Sequence, residues 1–351
     1  MAEHLTLSVD AMGGDAAPEM VVEGVELAAS SIGGDVRFLL FGDEQSLHPI
    51  LERFPLAGQT STVHHTTDMI KSTDKPAQAL RGGRGSSMRL AINAVANGEA
   101  DAVVSAGNTG ALMAMARFVL KTLPGIDRPA IATTLPTQKG RNVMLDLGAN
   151  VECSAENLVQ FAVMGEVFAR AVLGIEKPSV GILNIGVEDL KGNEAVKLAA
   201  GILQETPLPI KFHGFVEGDD IGAGTVDVVV TDGFTGNVAL KTAEGTARLF
   251  SSALKQALTS SLIANVGALI AKPALNILKQ KFDPRSHNGA MFLGLNGICV
   301  KSHGGTDGTG FAHALQVAAD LSRNAINESI KSDYAKLRAD AEVIQQAAVS
   351  S

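Results

Sequence analysis

At 351 residues, 46% of them hydrophobic and 19% charged, the chain has the composition of a folded globular protein large enough for one big α/β domain or two average ones, not a disordered or coiled-coil protein. A formal charge of −8 with no basic block interleaved with aromatics argues against a nucleic-acid partner, and two cysteines, Cys153 and Cys299, are too few for a disulfide framework or a zinc site and fit a reducing cytosol. No uncharged apolar run reaches the roughly 20 residues of a membrane-crossing helix, and residues 5–9 read as a first strand, not a targeting segment.

Along the chain, short β-branched or apolar runs alternate with longer segments of helical period. Strands are expected near 5–10, 36–41, 61–65, 101–105, 129–134, 143–147, 179–185, 210–216, 226–231 and 298–301. These runs lack the polar alternation of half-exposed strands, which predicts a mostly parallel sheet covered on both faces. Helices are expected near 18–32, 43–54, 86–97, 109–121, 154–173, 192–205, 235–263, 265–281 and 309–330. Pro18 suits a first helical position, and Ser86 and Ser154 suit N-caps. No fixed-period repeat and no Pro- or Ser-rich linker divides the chain. Residues 1–337 are therefore expected to form one α/β unit of one or two lobes, with a helical hairpin protruding near 240–283 and a flexible tail over 338–351.

The strand ends carry the polar residues. The first, Val9-Asp-Ala-Met-Gly-Gly-Asp15, offers Asp10, Gly13 and Gly14, whose alternative use is turn geometry and capping alone. Asp101–Leu112 reads as strand, small-residue turn and helix, setting Ser105, Asn108, Thr109 and Gly110 at a helix N-terminus, where backbone N–H groups bind anions. A third edge, Met144–Asn150, ends in Asn150. A fourth, Leu183–Asn193, holds Lys191 and Asn193 at a helix start; a lysine there opposes the helix dipole unless an anion is bound. Val228–Asn237 repeats the grammar with Asp232, Thr235, Gly236 and Asn237, at the carboxyl end of a strand where open α/β sheets bind ligands. The sixth, Lys301–Gly310, sets His303 beside a glycine pair. Several such edges in one sheet favour a shared cleft.

Other chemistries lack their signals. There is no Gly-Lys dipeptide for a Walker-type loop, no G-x-G-x-x-G, no G-x-S-x-G elbow, and neither cysteine lies in a nucleophile motif. A covalent acyl-enzyme is not expected.

Taken together, D-A-M-G-G-D at 10–15, S-A-G-N-T-G-A at 105–111, L-D-L-G-A-N at 145–150, L-N-I-G-V-E-D-L-K-G-N at 183–193, T-D-G-F-T-G-N at 231–237 and H-G-G-T-D at 303–307 resemble the acyl carrier protein:phosphate acyltransferase family of bacterial glycerolipid synthesis. The resemblance runs in order over nearly the whole chain. It implies reversible transfer of a fatty acyl group from acyl-(acyl carrier protein) to inorganic phosphate. The acyl phosphate formed then feeds a membrane glycerol-3-phosphate acyltransferase. It also implies a homodimer with a three-layer α/β/α fold similar to phosphate acetyl- and butyryltransferases and to isocitrate and isopropylmalate dehydrogenases, with no organic cofactor and no metal. Phosphate is already a nucleophile and a thiolate of pKa about 8.5 leaves without a strong acid, so the absence of a triad is consistent with this reaction.

On this reading Ser105, Asn108, Thr109 and Lys191 bind phosphate, Asn237 or Asn193 polarises the carbonyl, Asp232 orients a phosphate hydroxyl and His303 assists proton transfer. A short-chain phosphate acetyl- or butyryltransferase using coenzyme A thioesters is the alternative enzyme, and a carrier-binding scaffold the non-enzymatic one. Residues 256–271 are uncharged, with Leu258, Leu262, Val266, Leu269 and Ile270 at helical spacing. The helix faces suit a dimer interface; the tip, with Leu262, Val266 and Leu269, suits peripheral contact with anionic lipid at the inner face of the cell membrane. For an acidic carrier protein, Arg81, Arg84 and Arg89 form one basic patch and Lys279, Lys281 and Arg285 another, ordinary solvated charge being the alternative for both.

Overall fold

The computed structural model describes residues 4–205, 210–281 and 283–336, so the tail expected over 338–351 and the side chains of Lys279 and Lys281 lie outside the described part. The strands are β1 (Leu5–Asp10), β2 (Val36–Gly42), β3 (Ser61–His65), β4 (Ala102–Ser105), β5 (Ala130–Thr137), β6 (Gly140–Leu145), β7 (Ser179–Leu183), β8 (Lys211–Val216), β9 (Val228–Val230), β10 (Ala290–Leu293) and β11 (Ile298–Lys301). They form one 11-stranded mixed sheet in the order β3-β2-β1-β4-β11-β10-β5-β6-β9-β7-β8.

The helices are α1 (Glu19–Ser31), α2 (Glu44–Leu51), α3 (Pro55–Thr60), α4 (Pro76–Gly82), α5 (Ser87–Ala96), α6 (Thr109–Leu120), α7 (Ala155–Leu173), α8 (Glu194–Glu205), α9 (Gly218–Ala223), α10 (Gly233–Leu258), α11 (Leu262–Lys281) and α12 (Gly308–Arg323). They cover both faces of the sheet, which is why its strands are apolar at successive positions. In β4, Ala102 and Val104 join the core under α1, α7 and α12, while Val103 between them joins the core under α5 and α6. α7 is buried almost all round, from Ala155 to Ala169, as an apolar helix without a polar stripe must be.

The sheet has two senses. β3, β2, β1, β4 and β11 are mutually parallel; β10 reverses, β5 reverses again, and the β5–β6 pair is antiparallel, so β6, β9, β7 and β8 run opposite to the first five. β10 was not among the expected strands, and the helix expected over 309–330 is broken after Arg323, where Ala325 takes a φ of 45°. Ser86 and Ser154 do cap their helices, accepting from the Arg89 and Asn157 N–H groups.

α10 buries only Gly233 and Gly236, and no described side chain of α11 is buried. The two are bent by 118° at their junction, and no single helix is long and apolar enough to cross a membrane among the described residues. Leu249, Phe250, Leu262, Ile263, Val266 and Leu269 are all exposed on this pair.

Candidate active site

Three neighbouring parallel strands, β1, β4 and β11, send their carboxyl ends to one place. Asp10, at the end of β1, is fully buried. Its carboxylate accepts from Ser87 Oγ at 2.6 Å and from Ser105 Oγ at 2.7 Å, and from the Met12 N–H. Burial pushes the Asp10 carboxyl up, against the pull of those donors and of the Lys301 charge. Ser105 in turn accepts from the Gly107 N–H at 3.0 Å, so its hydroxyl knits the turn rather than facing a ligand.

Asn108 caps α6 through Oδ1, which accepts from the Ala111 N–H at 3.0 Å. Its amide nitrogen donates to the carbonyls of Lys71, Ser72 and Asp74 at 3.3, 3.0 and 2.9 Å. Both ends of the side chain are therefore engaged. Thr109 and Gly110 behind it are exposed and open the helix with N–H groups that no preceding turn can satisfy. N–H groups so placed can hold a small anion.

The third tip closes the group. The Asp15 N–H donates to Gly304 O at 2.9 Å, tying the loop after β1 to that after β11, and Gly14, at φ 122°, lies against Ala106 and Gly304. Asn288 donates to Ser302 Oγ and accepts from the His303 N–H, both at 2.8 Å. His303 is exposed, and its Nδ1 accepts from the Gly305 N–H at 3.2 Å. A neutral imidazole so held carries its proton on Nε2, which makes it a hydrogen-bond donor to whatever sits above.

The remaining candidates lie elsewhere. β6, β9 and β7 run opposite to β1, β4 and β11, so their carboxyl ends leave the sheet in the opposite sense, and no hydrogen bond or ion pair joins the two groups among the described residues. The single shared cleft expected from the strand ends is thus not built within one chain.

In this second group Asp146 is buried and accepts from the N–H groups of Ile131, Gly148, Ala149 and Asn150 and from Asn150 Nδ2. Asn150 spends its other contact on Pro129 O. Asp232 caps α10, its two oxygens taking the N–H and the hydroxyl of Thr235 at 2.9 and 2.7 Å. Gly236 is required by packing, since a Cβ there would lie 1.9 Å from Asp146 O. Thr235 and Asn237 are exposed, with Asn237 against Gly148.

Lys191 is exposed on the loop after β7, where its carbonyl accepts from Asn184 Nδ2 at 3.1 Å, and Asn193 Oδ1 caps the next helix by accepting from the Val196 N–H at 2.9 Å. A cavity of about 510 Å³ beside this group is lined by Asp127, Arg128, Glu152, Cys153, Ser154 and Asn157. Burial, reinforced by Asp146, pushes the Cys153 thiol up to about 11, which leaves it protonated and a poor nucleophile.

The first group also holds a buried charge that is not among the residues expected from the sequence. Lys301, at the end of β11, is buried beside Asp10; its Nζ donates to Ala106 O at 3.2 Å and to Ser302 O. Desolvation lowers its pKa to about 8, against the pull of Asp10, Asp15 and Cys299. The available signal was a lysine closing a strand otherwise buried on both faces.

A family model described as "Fatty acid synthesis protein" matches residues 5–329. Among curated proteins, a phosphate acyltransferase of Paramagnetospirillum magneticum is 60% identical over 338 residues, covering 96% of both chains. One from Rhodospirillum rubrum is 59% identical over 338 residues, covering 96% of this chain and 97% of its own. Among solved structures, a phosphotransacetylase from Streptococcus pyogenes superposes with a TM-score of 0.60 at 16% identity, covering 91% of this chain and 94% of that one. The EutD phosphotransacetylase from Staphylococcus aureus gives 0.57 at 16% identity, covering 92% and 95%. At that identity the two structures establish the fold alone.

Proposed function

The chain belongs to the fatty acid synthesis protein family and resembles its phosphate acyltransferases from end to end, and from that premise we propose that it transfers a fatty acyl group from acyl-(acyl carrier protein) to inorganic phosphate, forming the acyl phosphate used in phospholipid synthesis. The observation that carries the reading is the meeting of the β1, β4 and β11 ends around the open N-terminus of α6.

Phosphate seated on the Thr109 and Gly110 N–H groups would be fixed and oriented there. Its oxygen attacks the thioester carbonyl, an oxyanion forms, and collapse expels the carrier thiolate. His303, with its proton on Nε2, is suited to donate to the oxyanion or the departing sulfur, not to withdraw a proton from phosphate. The thiolate leaves readily, so no stronger acid is needed.

The roles given to Lys191, Asn193, Asp232 and Asn237 need a second chain, because their own chain holds them apart from this seat. A homodimer would supply one. The exposed apolar faces of α10 and α11 support such an interface, and Leu262, Val266 and Leu269 at the bend support peripheral contact with the inner face of the cell membrane, in a cytoplasmic enzyme coupled to a membrane glycerol-3-phosphate acyltransferase. For the acidic carrier, Arg81 and Arg84 are exposed beside the seat, and Arg89 lies over Phe118 at 5.3 Å.

The test is to incubate the protein with palmitoyl carrier protein and phosphate and to seek palmitoyl phosphate and free carrier thiol by mass spectrometry. Turnover of acetyl-coenzyme A in preference would point to the short-chain reaction. Carrier binding without phosphate-dependent thiol release would reduce the protein to a scaffold.

A further inference from the structure

We propose that Lys301 is the positioning residue of the phosphate seat, its ammonium holding the turn after β4 and the loop after β11 together and setting a positive charge beneath the bound ion. The inference rests on the acyl-phosphate reaction proposed above.

Register puts Lys301 directly opposite Ser105 on adjacent parallel strands, so its side chain rises where both chains turn out of the sheet. There it donates to Ala106 O in one turn and to Ser302 O in the other. Ala106 precedes the Gly107-Asn108 entry to α6, and Ser302 precedes His303. One cation thus ties the peptide that leads to the anion-binding N–H groups to the peptide that carries the imidazole.

The charge solves a second problem. Asp10 and Asp15 both border the seat, and carboxylates repel phosphate. A buried ammonium is costly unless matched, so its retention at a site only 9% exposed calls for a balancing anion. Asp10 supplies part of that balance, and its own charge is weakened by burial. Phosphate at α6 would complete the compensation, in a low-dielectric surrounding where the interaction is little screened.

The groups facing Lys301 are Asp10 from β1, Asp15 from the following loop and Cys299 from its own strand, with the neutral Ser105 opposite on β4. Cys299 is buried and its thiol is pushed further up, while desolvation brings Lys301 down to about 8, so Lys301 is the member of the cluster whose charge changes just above neutral pH. Above about pH 8 phosphate is almost wholly the dianion, so its own charge is steady where that of Lys301 changes.

The experiment compares steady-state kinetics of wild type, Lys301→Met and Lys301→Arg with palmitoyl carrier protein and phosphate. For Lys301→Met the expected result is a rise of about tenfold or more in KM for phosphate, KM for the carrier within about twofold, and partial recovery in Lys301→Arg. In wild type, kcat/KM for phosphate should fall as pH passes about 8, while that for the carrier stays level. An unchanged phosphate KM in Lys301→Met, or equal losses in both substrates together with a lowered melting temperature, overturns the proposal. Should the variants not fold, the wild-type pH profile decides alone, a flat phosphate profile being the negative result. Wild type that makes no acyl phosphate at any pH would instead remove the functional reading itself.

Discussion

Gly13 stands so close to Asp10 that a Cβ on it would lie 2.4 Å from the Asp10 Oδ2 and 2.7 Å from the Gly107 nitrogen. The contact is with a buried carboxylate on one side and backbone on the other, and neither can retreat. Gly13→Ala should therefore force apart the tips of β1 and β4. The expected cost is about 1–3 kcal/mol of stability by denaturant titration, together with a loss of phosphate saturation. Wild-type stability in this variant would mean that the two loops are less tightly joined than described.

Ser105→Ala removes one of the two hydroxyl donors to Asp10 and the acceptor of the Gly107 N–H. A loss of about 1–3 kcal/mol is expected, with KM for phosphate raised and KM for the carrier unaltered. A reverse pattern, in which the carrier constant moves and the phosphate constant does not, would assign Ser105 to the thioester instead.

His303→Ala should lower kcat by about 10²-fold or more if Nε2 donates to sulfur or oxyanion. The two options separate with an aryl thioester, whose thiolate needs no proton. The defect shrinks if the proton goes to sulfur and persists if the donor serves the oxyanion.

Lys301 also makes a stability prediction of definite sign. Its folded pKa, about 8, lies below the ordinary value of 10.5, so between these limits the unfolded chain binds more protons than the folded one. Stability from this group rises with pH across that window, by about 3 kcal/mol in total, and is constant below and above it. The difference in unfolding free energy between wild type and Lys301→Met, measured from pH 7 to 10, should carry that slope. Phosphate affinity should move the other way, so activity lost above pH 8 would not arise from the effect of this group on stability.

Two predictions concern the second chain and the bilayer. Mixing Lys191→Ala with His303→Ala should restore part of the lost activity if each seat draws on both copies, and restore none if the groups act separately. Leu262→Glu with Val266→Glu should abolish flotation with anionic vesicles without altering turnover of soluble substrate; unaltered flotation would leave α10 and α11 with the interface role alone.

The sequence made the strands legible because a run buried on both faces needs no polar alternation, as in Val228–Val230. The same argument is blind to direction. Gly140, at φ 136°, turns β5 back into β6, and β10 adds another reversal, and these sent six matching turns to two ends of the sheet. Asn108 and Asp232 were recognisable as polar residues at helix starts, but capping uses the same residues as ligand binding, and here the caps are filled. Gly236 has the sequence setting of a ligand turn, while its neighbour Asp146 O accounts for it by contact. The burial of Lys301 is not legible because a lysine at the end of a strand ordinarily marks the water boundary.

The three carbonyls held by Asn108 belong to the segment that leads directly into α4, whose Pro76 lies against Gly110. A partner pressing on α4 would therefore displace, through Pro76 and Asn108, the helix start at Thr109 and Gly110 where the phosphate seat is proposed. Docking there and ion capture would then share a single mechanical element, and thermodynamic reciprocity would require each to alter the equilibrium of the other by the same factor.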